Sequence, residues 1–248
     1  MNPIEIRVPE KLPTRITPCP IVEAVLEVRF VTERGWTVLP GLLHQHIRDR
    51  YREPEDLPLA AMPEKFRESQ SQFTYQPLAS FAGEGFSVGL GPRVLSLAVT
   101  GEYPGWSVVN KELDWLLAKV EAANFISEGE RIGIRYVDFF ECDLFPNLEI
   151  QPHCHGEPLT GFETSLTIAF RRERFTARLI LHNSVSVKTD EGPRSGSVFD
   201  LDLSLAASDF DLFEDGRNRF REAHRLNKEI FFGLMKPEFL STLSPTYD

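Results

Sequence analysis

Residues 18–30, PCPIVEAVLEVRF, decide the fold. Two prolines flank Cys19 and hold the backbone extended. The run that follows alternates, with Val22, Ala24, Leu26, Val28 and Phe30 on one face and Glu23, Val25, Glu27 and Arg29 on the other. A strand with one dry face needs strands beside it and an apolar layer over that face. The stretch therefore predicts an early strand of a half-solvated sheet.

On its N-terminal side, residues 1–17 mix charges and prolines without periodicity and predict an irregular arm. On its C-terminal side the spacing predicts a helix from about Pro40 to Arg52, then a proline-rich, charged loop or insertion over 53–69. SQFTYQ (71–76), FSVGL (86–90) and VLSLAV (94–99) read as strands, the last two joined as a hairpin through Gly91-Pro92-Arg93. From Trp106 to Asn124 the period becomes helical, with Trp106, Val109, Leu113, Leu116, Leu117 and Val120 on one stripe. ERIGIRYVDFFE (130–141) is again a strand, its Ile132, Ile134, Tyr136, Asp138 and Phe140 on one face and Arg135, Val137 and Phe139 on the other.

Residues 142–161 read as a long connection. Beyond it FETSLTIAFRRE and RFTARLILHN predict an antiparallel strand pair, KTDEGPRSGS a loop, and SVFDLDLSLA another strand. An acidic break over Asp209–Gly216 precedes a helix near 217–235 that Pro237 stops. The expected architecture is α+β: mainly antiparallel sheets with amphipathic helices on one side, because the order strand-strand-strand-helix excludes a doubly wound parallel sheet. The expected divisions are an arm (1–17), a first α+β half (18–141), the connection (142–161) and a second half (162–248). The two halves share a plan that suggests duplication.

At 248 residues, 42% hydrophobic and 26% charged, the composition is that of a globular chain. No apolar run reaches the roughly 20 residues of a membrane span, and MNPIEIRVPEK lacks the basic and apolar regions of a signal peptide. A cytoplasmic protein is expected, with Cys19, Cys142 and Cys154 as reduced thiols. Thirty-seven acidic against 27 basic residues give a formal charge of −10, which opposes indiscriminate binding to nucleic acid or anionic lipid.

PIVEAVLEVRF, RIGIRYVDFF, FDLDL and AHRLNKEIFFGLMKPEFL resemble, in that order, an uncharacterised and sporadically distributed family of bacterial proteins of about this length. The resemblance implies a bacterial protein with an accessory role, such as a mobile-element or defence component. It brings neither an activity nor catalytic residues.

Three constellations could carry chemistry. Glu23, Glu27, Arg29, Arg135 and the pair Asp200 and Asp202 fall on polar strand faces, where carboxylates beside an arginine could hold a metal or move protons. A cross-strand charge ladder is the favoured reading. Cys142, His153, Cys154 and His155 are metal-ligand types, but one cluster with a distant thiol lacks the two close pairs of a zinc site, so no metal or cofactor is expected. Arg217, Arg221 and Arg225 recur every fourth residue on the last long helix, with Arg171, Arg172, Arg174 and Arg178 on the preceding strands, and could meet phosphates or an acidic partner. Glutamates on the same helix favour a solvated face. His224 and Asn227 share a side of that helix, where His224 is a candidate binding residue, but they read more readily as core-edge polar groups, and Gly89-Leu90-Gly91 reads as a turn rather than a phosphate loop. No nucleophile-base signature is present.

The expected function is a non-enzymatic binding or assembly component acting through a protein partner or its own copy, its positive support the apolar Phe231, Phe232, Phe239 and Leu240 near the C-terminus. The alternative is nucleic-acid or nucleotide binding with metal-dependent phosphodiester chemistry, through Arg171, Arg178, Arg217, Arg221 and Arg225 and the Asp200/Asp202 strand.

Overall fold

In the computed structural model, which describes residues 5–159, 163–189, 192–206 and 210–247, the decisive stretch is strand β1, Ile21–Val31. Ala24, Leu26, Val28 and Phe30 are buried as their spacing predicts, but Val22 is 63% exposed, so the dry face begins at Ala24. In chain order there follow α1 (Leu39–Ile47), β2 (Glu55–Asp56), α2 (Glu64–Ser69), β3 (Ala79–Ala82), β4 (Phe86–Gly91), β5 (Val94–Val99) and α3 (Trp106–Ala123). Then come β6 (Glu128–Phe140), β7 (His153–Cys154), β8 (Glu157–Pro158), β9 (Ser165–Arg172), β10 (Phe175–Thr189), β11 (Gly192–Ala206), α4 (Gly216–Leu234) and α5 (Pro237–Thr242).

Nine of the strands form one antiparallel sheet in the order β2-β3-β4-β5-β1-β6-β11-β10-β9, and β7 and β8 make a separate small hairpin. The α+β class is as expected. Outward from β1 come β5, β4, β3 and the two-residue β2, and outward from β6 come β11, β10 and β9. Each half is a strand, an excursion, a three-strand meander and a long helix. Two compact units are distinguished, one of Met1–Val22, Arg135–Leu203 and Glu222–Asp248, the other of Glu23–Ile134 and Ser204–Arg221.

In the unit built on β1, the register runs Val25↔Ala98 to Arg29↔Val94 against β5, and α1 packs on α3. Val109, Leu113, Leu116, Leu117 and Val120 are the buried stripe of α3, and Phe125 meets Phe30 edge-on at 5.6 Å. SQFTYQ is not a strand. Ser71–Phe73 is a 3-10 turn, Phe73 lies against Phe66, and the Tyr75 ring sits under the Arg29 guanidinium at 4.2 Å. Local aromatic and cation–π contacts take side chains whose alternation mimicked a strand. Gly89 and Gly91 lie within β4 rather than in a turn. A Cβ on Gly89 would stand 2.5 Å from Ser96 Oγ and 3.0 Å from Pro77 Cγ, so the glycine lets the chain at Pro77 close over the strand.

In the other unit, the buried faces are Tyr136, Asp138 and Phe140 of β6, Phe175, Ala177, Leu179 and Leu181 of β10, and Phe199, Leu201 and Leu203 of β11. Along β9 only Phe170 is buried, while Leu166 and Ile168 are half-exposed, as befits the outermost strand. The loop expected over 188–197 is largely strand, since β10 continues to Thr189 and β11 begins at Gly192; residues 190 and 191, and the start of the acidic break at Asp209, lie outside the described residues. At the start of β11, Pro193, Arg194 and Ser195 are exposed at little cost, while Ser197 is buried. Pro237 opens α5 at its first turn instead of merely ending α4. Gly89→Ala is expected to lower stability by about 1–3 kcal/mol through overpacking, read as a lower denaturant midpoint with unchanged slope.

Candidate functional site

The polar groups under α4 are positioned by β6. Tyr136 Oη lies 3.1 Å from His224 Nδ1, with Phe140 stacked on Phe231 further along the same face of β6. Asn227 Nδ2 donates to the Leu201 carbonyl at 3.3 Å, so His224 and Asn227 are core-edge polar groups as their helical spacing predicts. Burial, and then the positive charge of Lys228 one turn on, push the His224 imidazole down to about 3 and keep it neutral. Asp138 is 3% exposed, and no ion pair or side-chain hydrogen bond reaches it among the described residues. Burial, reinforced by the nearby negative charge of Asp200, raises its carboxyl well above the usual range. Asp138 was not singled out from the sequence. The signal was an acid at a dry-face position of RIGIRYVDFF.

The opposite face carries the charge ladder. Arg135 grips Asp200 through two hydrogen bonds, Nε and Nη2 each at 2.8 Å from a carboxylate oxygen. Arg29 Nε and Arg131 Nη1 both reach Glu27 Oε1, at 2.7 and 2.6 Å, and Arg93 pairs with Glu130. With both its oxygens held by Arg135, Asp200 is committed to an ion pair rather than offered with Asp202 as a metal-holding pair. Asp202 is half-buried and engaged in contacts of its own.

The arginine row is paired residue by residue. Arg217 lies 3.8 Å from Glu121 and donates to the Phe213 carbonyl, and Arg221 contacts Asp114 at 2.6 Å. Arg225 bridges Glu173, at 3.0 Å, and Glu229. Arg172 pairs with Glu229 and Arg174 with Glu222. Arg171 and Arg178 are exposed and make no ion pair among the described residues. Neutralised guanidinium groups on a solvated helix face are poor phosphate receptors.

His153 and Cys154 form β7 with His155 in its turn, His153 Nδ1 lies 3.0 Å from the Gln151 carbonyl, and burial and Asp143 raise the Cys142 thiol. Among the described residues no three His, Cys, Asp or Glu side chains converge as a metal cage. Phe231, Phe232 and Leu240 are buried in the core, and half-exposed Phe239 lies against Phe140, so these residues do not form an exposed apolar contact surface. Among the described residues no helix is long and apolar enough to cross a membrane. Comparison with known proteins matches the chain to no family model and to no curated protein.

His224 and Asp138, both shifted mainly by burial, act on stability in opposite directions. Neutral His224 contributes stability that is lost as pH falls from about 6.5 toward 3, because the unfolded chain takes the proton first. Asp138 holds its proton when folded, so stability is lost as pH rises from about 4 toward its raised value. Asp138→Asn keeps the shape and removes that loss. The variant is expected to melt above wild type at pH 7 by about 2–4 °C or more, a difference that shrinks as pH is lowered toward 4 in paired thermal scans.

Proposed function

We propose that the chain is a non-enzymatic binding component of a bacterial accessory system, such as a mobile-element or defence system, working in the cytoplasm through protein contacts. The observation that carries this reading is the excursion from β2 to β3. Residues 52–77 include no buried side chain, yet they are folded into α2 and short 3-10 turns. Arg67 braces them, donating to the carbonyls of Leu59, Ala60 and Met62 at 3.4, 3.2 and 2.5 Å. On this arm Met62 is 41% and Phe66 50% exposed, with the Phe73 ring 6.3 Å from Phe66. An ordered arm that holds a thioether and an aromatic ring in water fits a partner with an apolar recess.

The expected outcome is that the immobilised protein retains a partner from bacterial lysate, and that Met62→Glu with Phe66→Glu reduces capture at least about tenfold while leaving the melting temperature unchanged. Equal capture by both proteins overturns the arm as the contact.

Exposed, unpaired Arg171 and Arg178 favour the second reading, nucleic-acid binding. An electrophoretic mobility series at low and moderate salt, with and without Mg²⁺, is expected to give no shift under the protein-contact reading. A salt-sensitive shift lost in Arg171→Ala/Arg178→Ala would put nucleic acid first.

A further inference from the structure

The two ends of the large sheet are unequal. One closes with β2, a two-residue strand. The other ends on β9, eight residues long, with no proline, glycine or lysine and no strand beyond it among the described residues. Natural sheets blunt such an edge with short strands, prolines, bulges, charged side chains or a covering loop; β9 is long and unbulged, and its charges, Arg171 and Arg172, sit at its C-terminal end.

The pairing of β9 with β10 determines which backbone groups are left over. Thr164 lies opposite Asn183 in the same frame as Leu181↔Leu166 and Leu179↔Ile168, and the Asn183 N–H donates to the Thr164 carbonyl. In an antiparallel ladder the hydrogen-bonded residues alternate, so Leu166, Ile168, Phe170 and Arg172 turn their N–H and C=O groups to β10. Ser165, Thr167, Ala169 and Arg171 turn theirs outward. Leu166 and Ile168 are half-exposed on the face that buries Phe170. On the other face Glu163 and Arg171 are exposed, and neither makes an ion pair among the described residues.

We infer that β9 pairs antiparallel, edge to edge, with β9 of a second copy of this chain, in the register that sets Thr167 opposite Thr167. Only residues with outward backbone groups can form hydrogen-bonded pairs, which restricts the register to steps of two. With Thr167 on the two-fold axis, Glu163 of each copy faces Arg171 of the other, Ser165 faces Ala169, and Leu166 lies beside Ile168 of the second copy. A step of two residues in one direction sets Glu163 against Glu173 and leaves Arg171 opposite Ser165. The unpaired charges thus complement their own copy in one register, and the half-exposed Leu166 and Ile168 gain apolar cross-strand neighbours there. This assembly goes beyond the proposed arm contact and is independent of it.

Light scattering across a concentration series tests the inference on the purified full chain. The wild type is expected to form a dimer, and Thr167→Pro to abolish it with unchanged circular dichroism, because the removed N–H faces outward. Glu163→Arg and Arg171→Glu singly are each expected to weaken the dimer about fivefold or more, and the two together to restore it to within about twofold. Met62→Glu/Phe66→Glu is expected to leave it intact. A strict monomer at about 100 μM overturns the inference, as does a dimer that ignores Thr167→Pro and both charge reversals. Neither result touches the arm contact, which capture from lysate tests separately.

Discussion

A strand in the middle of a sheet must satisfy two backbone edges and one apolar face at once, and the two central strands β1 and β6 impose that demand on everything around them. Ala24, Leu26, Val28 and Phe30 need a layer over them, which makes the long helices amphipathic. The charges left on the other face need partners, which makes Glu27, Arg29 and Arg131 a cluster instead of isolated ions. Because each central strand carries its own three-strand meander outward, the core is met by repetition of one plan.

Alternation was enough to find β1, β4, β5, β6, β10 and β11, since a period of two with one dry face fits a half-buried strand and no helix. It failed at Phe73 and Tyr75, whose partners Phe66, Arg29 and Arg93 make a local cluster that no spacing rule contains. The loop expected over 188–197 failed for the converse reason. Exposed Arg194 and Ser195 at the start of β11 remain compatible with a solvated strand.

The site was less legible than the fold. That Arg217, Arg221 and Arg225 share a helix face follows from their spacing, but their partners Glu121, Asp114 and Glu173 come from α3 and the β9–β10 turn, distant in sequence. The same limit applied to Phe231 and Phe232, whose burial depends on Phe140 and Phe199 from other strands. Asp138 could have been found. A carboxyl in the row Ile132, Ile134, Tyr136, Phe140 has nowhere wet to go.

The pairing of β1 has a consequence for synthesis. Val25 meets Ala98 of β5, and Val31 accepts a hydrogen bond from the Ser127 N–H just before β6, so β1 is translated well ahead of both its neighbours. At about 5–20 residues per second, many seconds pass between translation of this apolar strand and that of β6. Until β5 is translated neither edge of IVEAVLEVRFV has its native neighbour, and until β6 follows one edge still lacks it. The glutamates at positions 23 and 27 and the arginine at 29 serve there as gatekeepers against pairing with another nascent chain.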